Sequence, residues 1–208
     1  MSWTLYKGDQ KLQGQGSIAL KKALYDPKYV AATPSPPAAT PSPHPKKTID
    51  KLIQHAPLAT TEEKNAISYY TGPGYTDMNK SLRHGKEPSI YGSIGNIKHL
   101  KQWLDKAELP EDVTVFRKVS GEYAKFLKSS IFEGAAFQDK GFISASPRTD
   151  AWNGEMTFEI SAKKGAKGAA VKHMSNHPEE DEILFQAGSK FKVTKILSDR
   201  ICVDLFQD

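Results

Sequence analysis

The chain has 208 residues, of which 38% are hydrophobic and 25% charged, a composition that gives a globular domain with a real core and excludes disorder throughout. No stretch approaches the roughly 18 to 20 consecutive apolar residues of a membrane span, and residues 1–16 lack the apolar centre of a secretory signal. The net charge is +5, but the five lysines and two aspartates of residues 1–45 account for +3 of it. The body is nearly balanced, so a nucleic-acid partner is disfavoured.

The sequence divides into three parts. Residues 1–32 form a short leader or docking segment, in which Ser17 caps a predicted helix that ends at Pro27; an unstructured leader is the alternative. Residues 33–45 contain six prolines in thirteen positions and predict a semi-rigid linker. Residues 46–208 form the main domain.

Apolar residues at helical spacing predict the first half of this domain to be helical. The first predicted helix begins at Thr48, and the second begins at Thr61 and stops at Gly72-Pro73-Gly74. Three more are predicted over residues 78–82, 94–104 and 122–127. Short alternating or apolar runs predict strands over residues 113–119, 141–146, 155–161, 168–172, 182–185, 191–197 and 201–206. Helices followed by strands of this length indicate an α+β fold.

Several common kinds of site lack their residues. The sequence has no GxGxxG, GxxxxGK[ST], HExxH or paired CxxC motif. His173 and His177 are four residues apart, but Asn176 and Pro178 disfavour the helix that would bring them together, so we expect no metal site. The lone cysteine, Cys202, lies between isoleucine and valine in a predicted strand and is expected to be a buried structural residue.

Arg117 interrupts an otherwise apolar predicted strand. Side chains alternate along a strand, so it shares a face with Val113, Val115 and Val119. An unpaired buried charge is costly, so the guanidinium needs a partner. That partner is either a carboxylate of the core or a bound phosphate held by two hydrogen bonds, and the pattern favours neither.

Two further motifs lie on later strands. Ser144 and Ser146 project from one face of their strand and can orient a neighbouring group without adding charge. Four acidic residues, 179–182, lead directly into Ile-Leu-Phe, and on a strand Glu180 and Glu182 would lie on one side. Two close carboxylates repel, which predicts a raised pKa for one of them and a proton acceptor that works near neutral pH.

These three motifs, in this order, resemble the arginine-serine-glutamate class of mono-ADP-ribosyltransferases. Residues 68–72 and 78–83 are similar to the helical lead-in of the bacterial toxin members, including type VI secretion effectors, and residues 191–193 to their penultimate strand. The resemblance covers roughly residues 48–206. It implies that the α+β fold consists of N-terminal helices packed on a split, two-sheet antiparallel core, with residues 46–208 as the catalytic domain.

The resemblance also implies roles for individual residues, with NAD as substrate and no metal. Arg117 would hold the diphosphate, and Ser144 would position the nicotinamide ribose and Glu182. Glu182 would bind the ribose 2′-hydroxyl and stabilise the positive charge that forms as nicotinamide leaves, while Glu180 would take a proton from the acceptor. The implied NAD-binding set is Arg117, Ser144, Ser146, Arg148 and Glu182.

Glutamate at position 180 resembles the arginine-specific members, which implies an arginine on a target protein as acceptor. A guanidinium is always charged and a weak nucleophile, so a carboxylate that attracts it and takes its proton suits this acceptor. The loop over residues 165–179 would recognise the target. Together with the leader and linker, the resemblance implies a monomeric effector secreted without a signal peptide by a contact-dependent system. It would act in the cytoplasm of a competing or host cell, with a cognate immunity protein and no nucleic-acid or membrane partner.

Two other functions fit the same residues. An NAD glycohydrolase would use water in place of arginine and would need Arg117, Ser144 and Glu182 equally. A binding module that keeps the fold without turnover would attach through basic surface residues and bind DNA in a salt-dependent way without cleaving NAD.

Overall fold

The computed structural model describes residues 2–7, 10–15, 45–85, 88 and 93–207. Five α-helices lie in this part of the chain: α1 (Pro45–His55), α2 (Thr61–Tyr69), α3 (Tyr75–His84), α4 (Ser93–Asp105) and α5 (Gly121–Ser130). Ten strands accompany them: β1 (Ser2–Lys7), β2 (Gln10–Gln15), β3 (Val113–Val119), β4 (Ala136–Gln138), β5 (Ile143–Ala145), β6 (Met156–Ala162), β7 (Gly168–Ala170), β8 (Ile183–Phe185), β9 (Lys190–Ile196) and β10 (Arg200–Phe206). The helix predicted after Ser17 and most of the proline-rich linker lie outside the described residues.

The strands form two sheets, as the α+β prediction requires. The large sheet has the order β2-β1-β4-β9-β10-β6-β3, and the small sheet has the order β5-β8-β7. Neighbouring strands are antiparallel except β10 and β6, which run parallel. The two-sheet core is therefore confirmed, with one parallel pair inside the large sheet.

The small sheet is buried on both faces. Ile183 and Phe185 of β8 pack with residues of the large sheet, whereas Leu184 points the other way and packs with the helices. Side chains alternate along a strand, so a strand covered on both faces must be apolar at every position. This explains why β8 reads Ile-Leu-Phe without polar alternation. The small sheet thus lies between the large sheet and a helical layer formed by α2, α3 and α4.

The helical layer begins with a well-capped helix. Thr60 and Glu63 form a reciprocal capping box at the start of α2, and both carboxylate oxygens of the buried Glu63 also accept hydrogen bonds from Lys106 at 2.8 Å. The helix stops before Gly72-Pro73-Gly74, as the sequence predicted, because α2 ends at Tyr69. The wide turn Tyr70–Gly74 joins it to α3, and Gly72 within this turn has φ −106° and ψ −125°, outside the helical region, so the chain kinks there. Proline has no N–H to donate, which favours such a break.

Three strands escaped prediction. The short strand β4 pairs with β9, and β1 and β2 form a hairpin that joins the large sheet through β1 and β4. Residues 2–7 and 10–15 thus extend the sheet, although the sequence placed them in a leader. The domain boundaries themselves stay a prediction. Cys202 is buried in β10, as predicted. In the part of the chain that the structure describes, no helix is long and apolar enough to cross a membrane.

Trp103 of α4 should dominate the stability of the helical layer. Its side chain is completely buried, and its indole N–H donates to the Pro57 carbonyl at 3.0 Å. We expect Trp103→Ala to lower the free energy of unfolding in urea by about 3–5 kcal/mol, through lost burial and the cavity left behind. Ile94 of the same helix is 60% exposed, so Ile94→Ala should stay within about 0.5 kcal/mol of wild type. Equal losses in the two variants would contradict this account of the core.

Candidate functional site

The site lies where the two sheets meet. Phe116 of β3 and Ser146, just after β5, exchange two backbone hydrogen bonds of 2.7 and 2.9 Å. One residue further along β3, the Arg117 guanidinium donates to the Ser144 carbonyl at 2.9 Å. The ion pairs among the described residues do not include Arg117. The arginine is therefore fixed by a neutral carbonyl and not by a direct ion pair with another described residue.

Glu182 lies directly before β8, beside Ser144 of the neighbouring strand. Its carboxyl is hydrogen-bonded by the Ser144 side chain, and only 3% of the residue is exposed. Burial raises the pKa of Glu182 to about 7, and the nearby Glu180 charge adds to this, whereas Ser144 and Arg117 act in the opposite direction. The predicted raised pKa therefore belongs to Glu182, and desolvation, not repulsion from Glu180, is its main cause.

A buried polar network supports Ser144 from behind. The Tyr70 hydroxyl lies 3.2 Å from the Ser144 Oγ and accepts a hydrogen bond from Asn79 Nδ2 at 3.0 Å. Asn79 in turn accepts from the Phe142 backbone N–H at 2.8 Å. The sequence showed Tyr70 and Asn79 only as parts of helical patterns, because a polar residue on a helix gives no sign of which distant strand it contacts.

The acidic segment is a turn and not a strand, which corrects the prediction that residues 180 and 182 sit side by side on a β-strand. Residues Pro178–Glu180 form one 3₁₀ turn, and Asp181 follows with φ 50° in the left-handed region. Proline at the start of the segment removes a ladder donor and favours such a turn. Glu182 is consequently buried, while Glu180 stays half-buried at the surface.

Ser146 and Arg148 hold this acidic turn. The buried Ser146 hydroxyl donates to the Glu180 carbonyl at 2.8 Å, and the Arg148 guanidinium donates to the Glu179 carbonyl at 2.9 Å. Asp181 lies 3.7 Å from Arg148 and also pairs with Lys172. The structure thus brings all six sequence-predicted site residues together, with Arg117, Ser144 and Glu182 in one group and Ser146, Arg148 and Glu180 in another.

The arrangement combines groups suited to a phosphate-containing substrate that develops positive charge. The Arg117 guanidinium has five N–H donors, so one hydrogen bond to a carbonyl leaves enough for a bidentate phosphate contact. A buried carboxyl and a more exposed carboxyl lie beside it, in surroundings that separate their properties. Among the described residues, no group of three or more histidine, cysteine or acidic side chains could hold a metal ion.

Comparison with known proteins gives a family match over most of the chain. The model of the ADP-ribosyltransferase exoenzyme family matches residues 22–202. A Mycobacterium avium protein, Mav, named as a candidate NAD(+)–arginine ADP-ribosyltransferase, is 29% identical over 143 residues, which cover 67% of this chain and 17% of Mav. Secreted exoenzyme S of Pseudomonas aeruginosa is 27% identical over 137 residues, which cover 66% of this chain and 30% of that protein. The chain thus spans less than a third of the length of either relative.

Solved structures share the fold at lower identity. C3stau2 from S. aureus, solved with NAD, has a TM-score of 0.66 at 19% identity, and the match covers 84% of this chain and 100% of that one. Exoenzyme S, solved in complex with human 14-3-3 protein beta and bound to carba-NAD, has a TM-score of 0.62 at 22% identity, covering 76% and 82%. Both have helices on the same kind of two-sheet core.

The buried carboxyl should make stability depend on pH. Glu182 binds its proton more tightly in the folded chain, where its pKa is about 7, than at its ordinary value of 4.5. The resulting stability is fully present below about pH 4.5 and is lost as pH rises through about 7, a difference of about 3 kcal/mol. Glutamine keeps the shape without titrating, so Glu182→Gln should become progressively more stable relative to wild type as pH rises from 5 through about 7, and the difference should then stay constant up to pH 9. Urea unfolding across this range measures the difference, and parallel curves for the two proteins would contradict the assignment.

Proposed function

Because the chain belongs to the ADP-ribosyltransferase exoenzyme family, whose substrate is NAD, we propose that it transfers ADP-ribose from NAD to arginine side chains of a target protein and releases nicotinamide. One observation carries the proposal: two carboxyl groups, two residues apart, occupy different environments. Glu182 is buried against Ser144, and Glu180 lies on a surface turn where a large acceptor can reach it. Transfer needs one group for the donor and another for the acceptor.

Arg117 and Ser144 serve the NAD side of the reaction. Arg117 keeps donors for the diphosphate while one N–H fixes it to the Ser144 carbonyl. The Ser144 hydroxyl orients Glu182 and is itself backed by Tyr70. Ser146 and Arg148 contribute on this side by fixing the acidic turn, and the remaining Arg148 donors can also reach a phosphate. These contacts hold the nicotinamide ribose beside Glu182.

Glu182 serves the bond that breaks. The bond between the nicotinamide nitrogen and ribose C1′ cleaves with its electron pair going to nicotinamide, and positive charge develops on the ribose. An ionised carboxylate that needs no reorganisation in a dry site stabilises this charge more strongly than one in water. The cationic substrate also favours ionisation of Glu182, because a nearby positive charge lowers the pKa of a carboxyl.

Glu180 serves the bond that forms. One guanidino nitrogen of the target arginine attacks C1′, and the proton that it loses passes to the Glu180 carboxylate. A carboxylate also attracts the permanently charged guanidinium before attack. The name given to Mav supports arginine as the acceptor.

We propose further that the protein is a toxin that acts in the cytoplasm of another cell. Related family members are secreted, as the name of exoenzyme S states. The proline-rich composition of residues 33–45 predicts a semi-rigid spacer before the helices of the catalytic domain. Delivery by a contact-dependent system such as type VI secretion, and an immunity protein in the producing cell, belong to the same proposal.

Labelling with NAD tests the activity directly. The purified protein, incubated with NAD labelled on the adenylate and a bacterial lysate, should label discrete proteins, and mass spectrometry should place the modification on arginine. Glu182→Ala should lower both transfer and nicotinamide release by about 100-fold or more, because it removes a preorganised charge from the reacting centre. Nicotinamide release without labelled protein would indicate a glycohydrolase. Absence of both would favour a binding module.

Glu180→Gln separates the two carboxyl roles. We expect transfer to a small guanidino acceptor, agmatine, to fall by about 100-fold or more, since glutamine cannot take the proton. Hydrolysis of NAD should stay within about threefold of wild type, because Glu182 and Ser144 are unchanged. Glu179→Gln is the matched control, because Glu179 is an exposed neighbour that hydrogen-bonds to His177, and it should leave both rates near wild type. Equal loss of transfer and hydrolysis in Glu180→Gln would contradict the division of roles.

A further inference from the structure

Asn176 ties the loop before the acidic turn to the helical layer. Its side-chain amide donates through Nδ2 to the Ser68 carbonyl at 2.5 Å and accepts from the Ser68 hydroxyl at 3.2 Å. Its backbone N–H donates to the Thr71 hydroxyl at 3.0 Å. Three hydrogen bonds from one residue thus cross 105 or more positions of sequence to the end of α2 and to the wide turn that follows it.

Gly72 leaves room for this contact. A Cβ atom added at Gly72 would lie only 2.6 Å from Asn176 Nδ2, closer than non-bonded atoms can approach. The wide turn and the glycine within it therefore leave space for the Asn176 side chain. We call Ser68, Thr71, Gly72 and Asn176 the loop clamp.

The acidic turn is also held at its other end. Arg148 and Ser146 hold the carbonyls of Glu179 and Glu180, and Lys172 pairs with Asp181. Only residues 177–179 separate Glu180 from the loop clamp. The turn that carries Glu180 is consequently fixed from the strand side and from the helix side.

We propose that Asn176 is a positioning residue for the acceptor step, and that the loop clamp determines whether the enzyme transfers ADP-ribose or hydrolyses NAD. This rests on the proposed function and assigns a role outside the residues that touch NAD. Asn176 acts through Glu180. When the hydrogen bonds of the loop clamp are formed, the Glu180 carboxylate stays where it can bind and deprotonate a guanidinium.

The physical reason is the different demand that the two acceptors make. Attack by a guanidino group requires a carboxylate at a defined position, and a shift of about 1 Å in a positioning group can cost on the order of 100-fold in rate. Water is small and abundant and needs less orientation. Glu182, which both reactions use, is held by Ser144 and by its backbone bond to Val171, neither of which includes the loop clamp.

Two variants that open the clamp by different routes provide the test. Asn176→Ala removes the side-chain hydrogen bonds, and Gly72→Ala places a methyl group where Nδ2 lies. Asn65→Ala is the matched control, because Asn65 is exposed on α2, before the residues of the clamp. For each protein, the ADP-ribosylation of agmatine and the release of nicotinamide without acceptor are measured, together with the melting temperature.

We expect both clamp variants to lower kcat/KM for agmatine by about 10- to 100-fold, with nicotinamide release within about twofold of wild type and the Asn65→Ala variant unchanged. In a Glu180→Gln background, Asn176→Ala should cause no further loss of transfer, because residues that act through one group are not additive. A purely structural role would instead lower both reactions and the melting temperature together.

Three results would overturn the proposal. The first is unchanged transfer in Asn176→Ala, the second is equal loss of transfer and hydrolysis, and the third is a full additional loss in the Glu180→Gln background. Each leaves the proposed function standing, provided that wild type modifies agmatine. If wild type releases nicotinamide but does not modify agmatine or any protein, arginine transfer itself fails, and the role of the clamp fails with it.

Discussion

Two backbone hydrogen bonds between Phe116 and Ser146 join the two sheets at the point where the candidate site lies. Because backbone bonds fix position to within a few tenths of an ångström, they set Arg117 beside Ser144 without relying on either side chain. The position of Glu182 then follows from strand pairing in the small sheet, since β8 lies between β5 and β7. The three side chains of the proposed NAD site thus come from β3, from β5 and from the residue directly before β8, and backbone pairing determines the relative positions of these strands. This is the rigid support that a reacting centre needs.

The contrast between buried and exposed surroundings underlies the different functions proposed for the two carboxyl groups, Glu180 and Glu182. The turn of residues 178–181 takes the chain from the surface into the small sheet within a few residues, so Glu180 stays at the surface and Glu182 is buried. Holding a carboxylate in a dry site costs folding free energy, and the same cost makes its charge effective in catalysis. The left-handed conformation at Asp181 is part of this change of direction, and ion pairs with Lys172 and Arg148 hold it there.

The sequence predicted much of the fold and the residues of the site, for identifiable reasons. Strand β3 has the predicted bounds, because five of its seven residues are β-branched or aromatic and charged and turn residues flank it. Strand β4 has only three residues, and the edge strand β2 is mostly polar, so their own patterns gave no such signal. Strand β1 lies in the segment that the sequence assigned to a leader. The acidic segment was predicted as a strand because alternation cannot reveal that proline and a left-handed residue turn the chain first.

Contacts between distant segments were beyond a reading of the sequence. Nothing local to Tyr70 shows that its hydroxyl lies behind Ser144, and nothing local to Asn176 shows that it seats against Gly72. Such pairs depend on how the helical layer packs on the small sheet, which the sequence specifies only through the whole core. The residues of the candidate site could be predicted from sequence motifs, whereas the contacts that hold them in place are seen only in the structure.

The position of β10 bears on when the molecule can become active. This strand lies between β9 and β6, so the large sheet cannot form completely until residues 200–206 are available for pairing. A nascent chain that does not yet include residues 200–206 already contains Arg117, Ser144 and Glu182. It lacks the strand that completes the large sheet beside them. The assembled site therefore requires β10, although β10 contributes none of the predicted site residues.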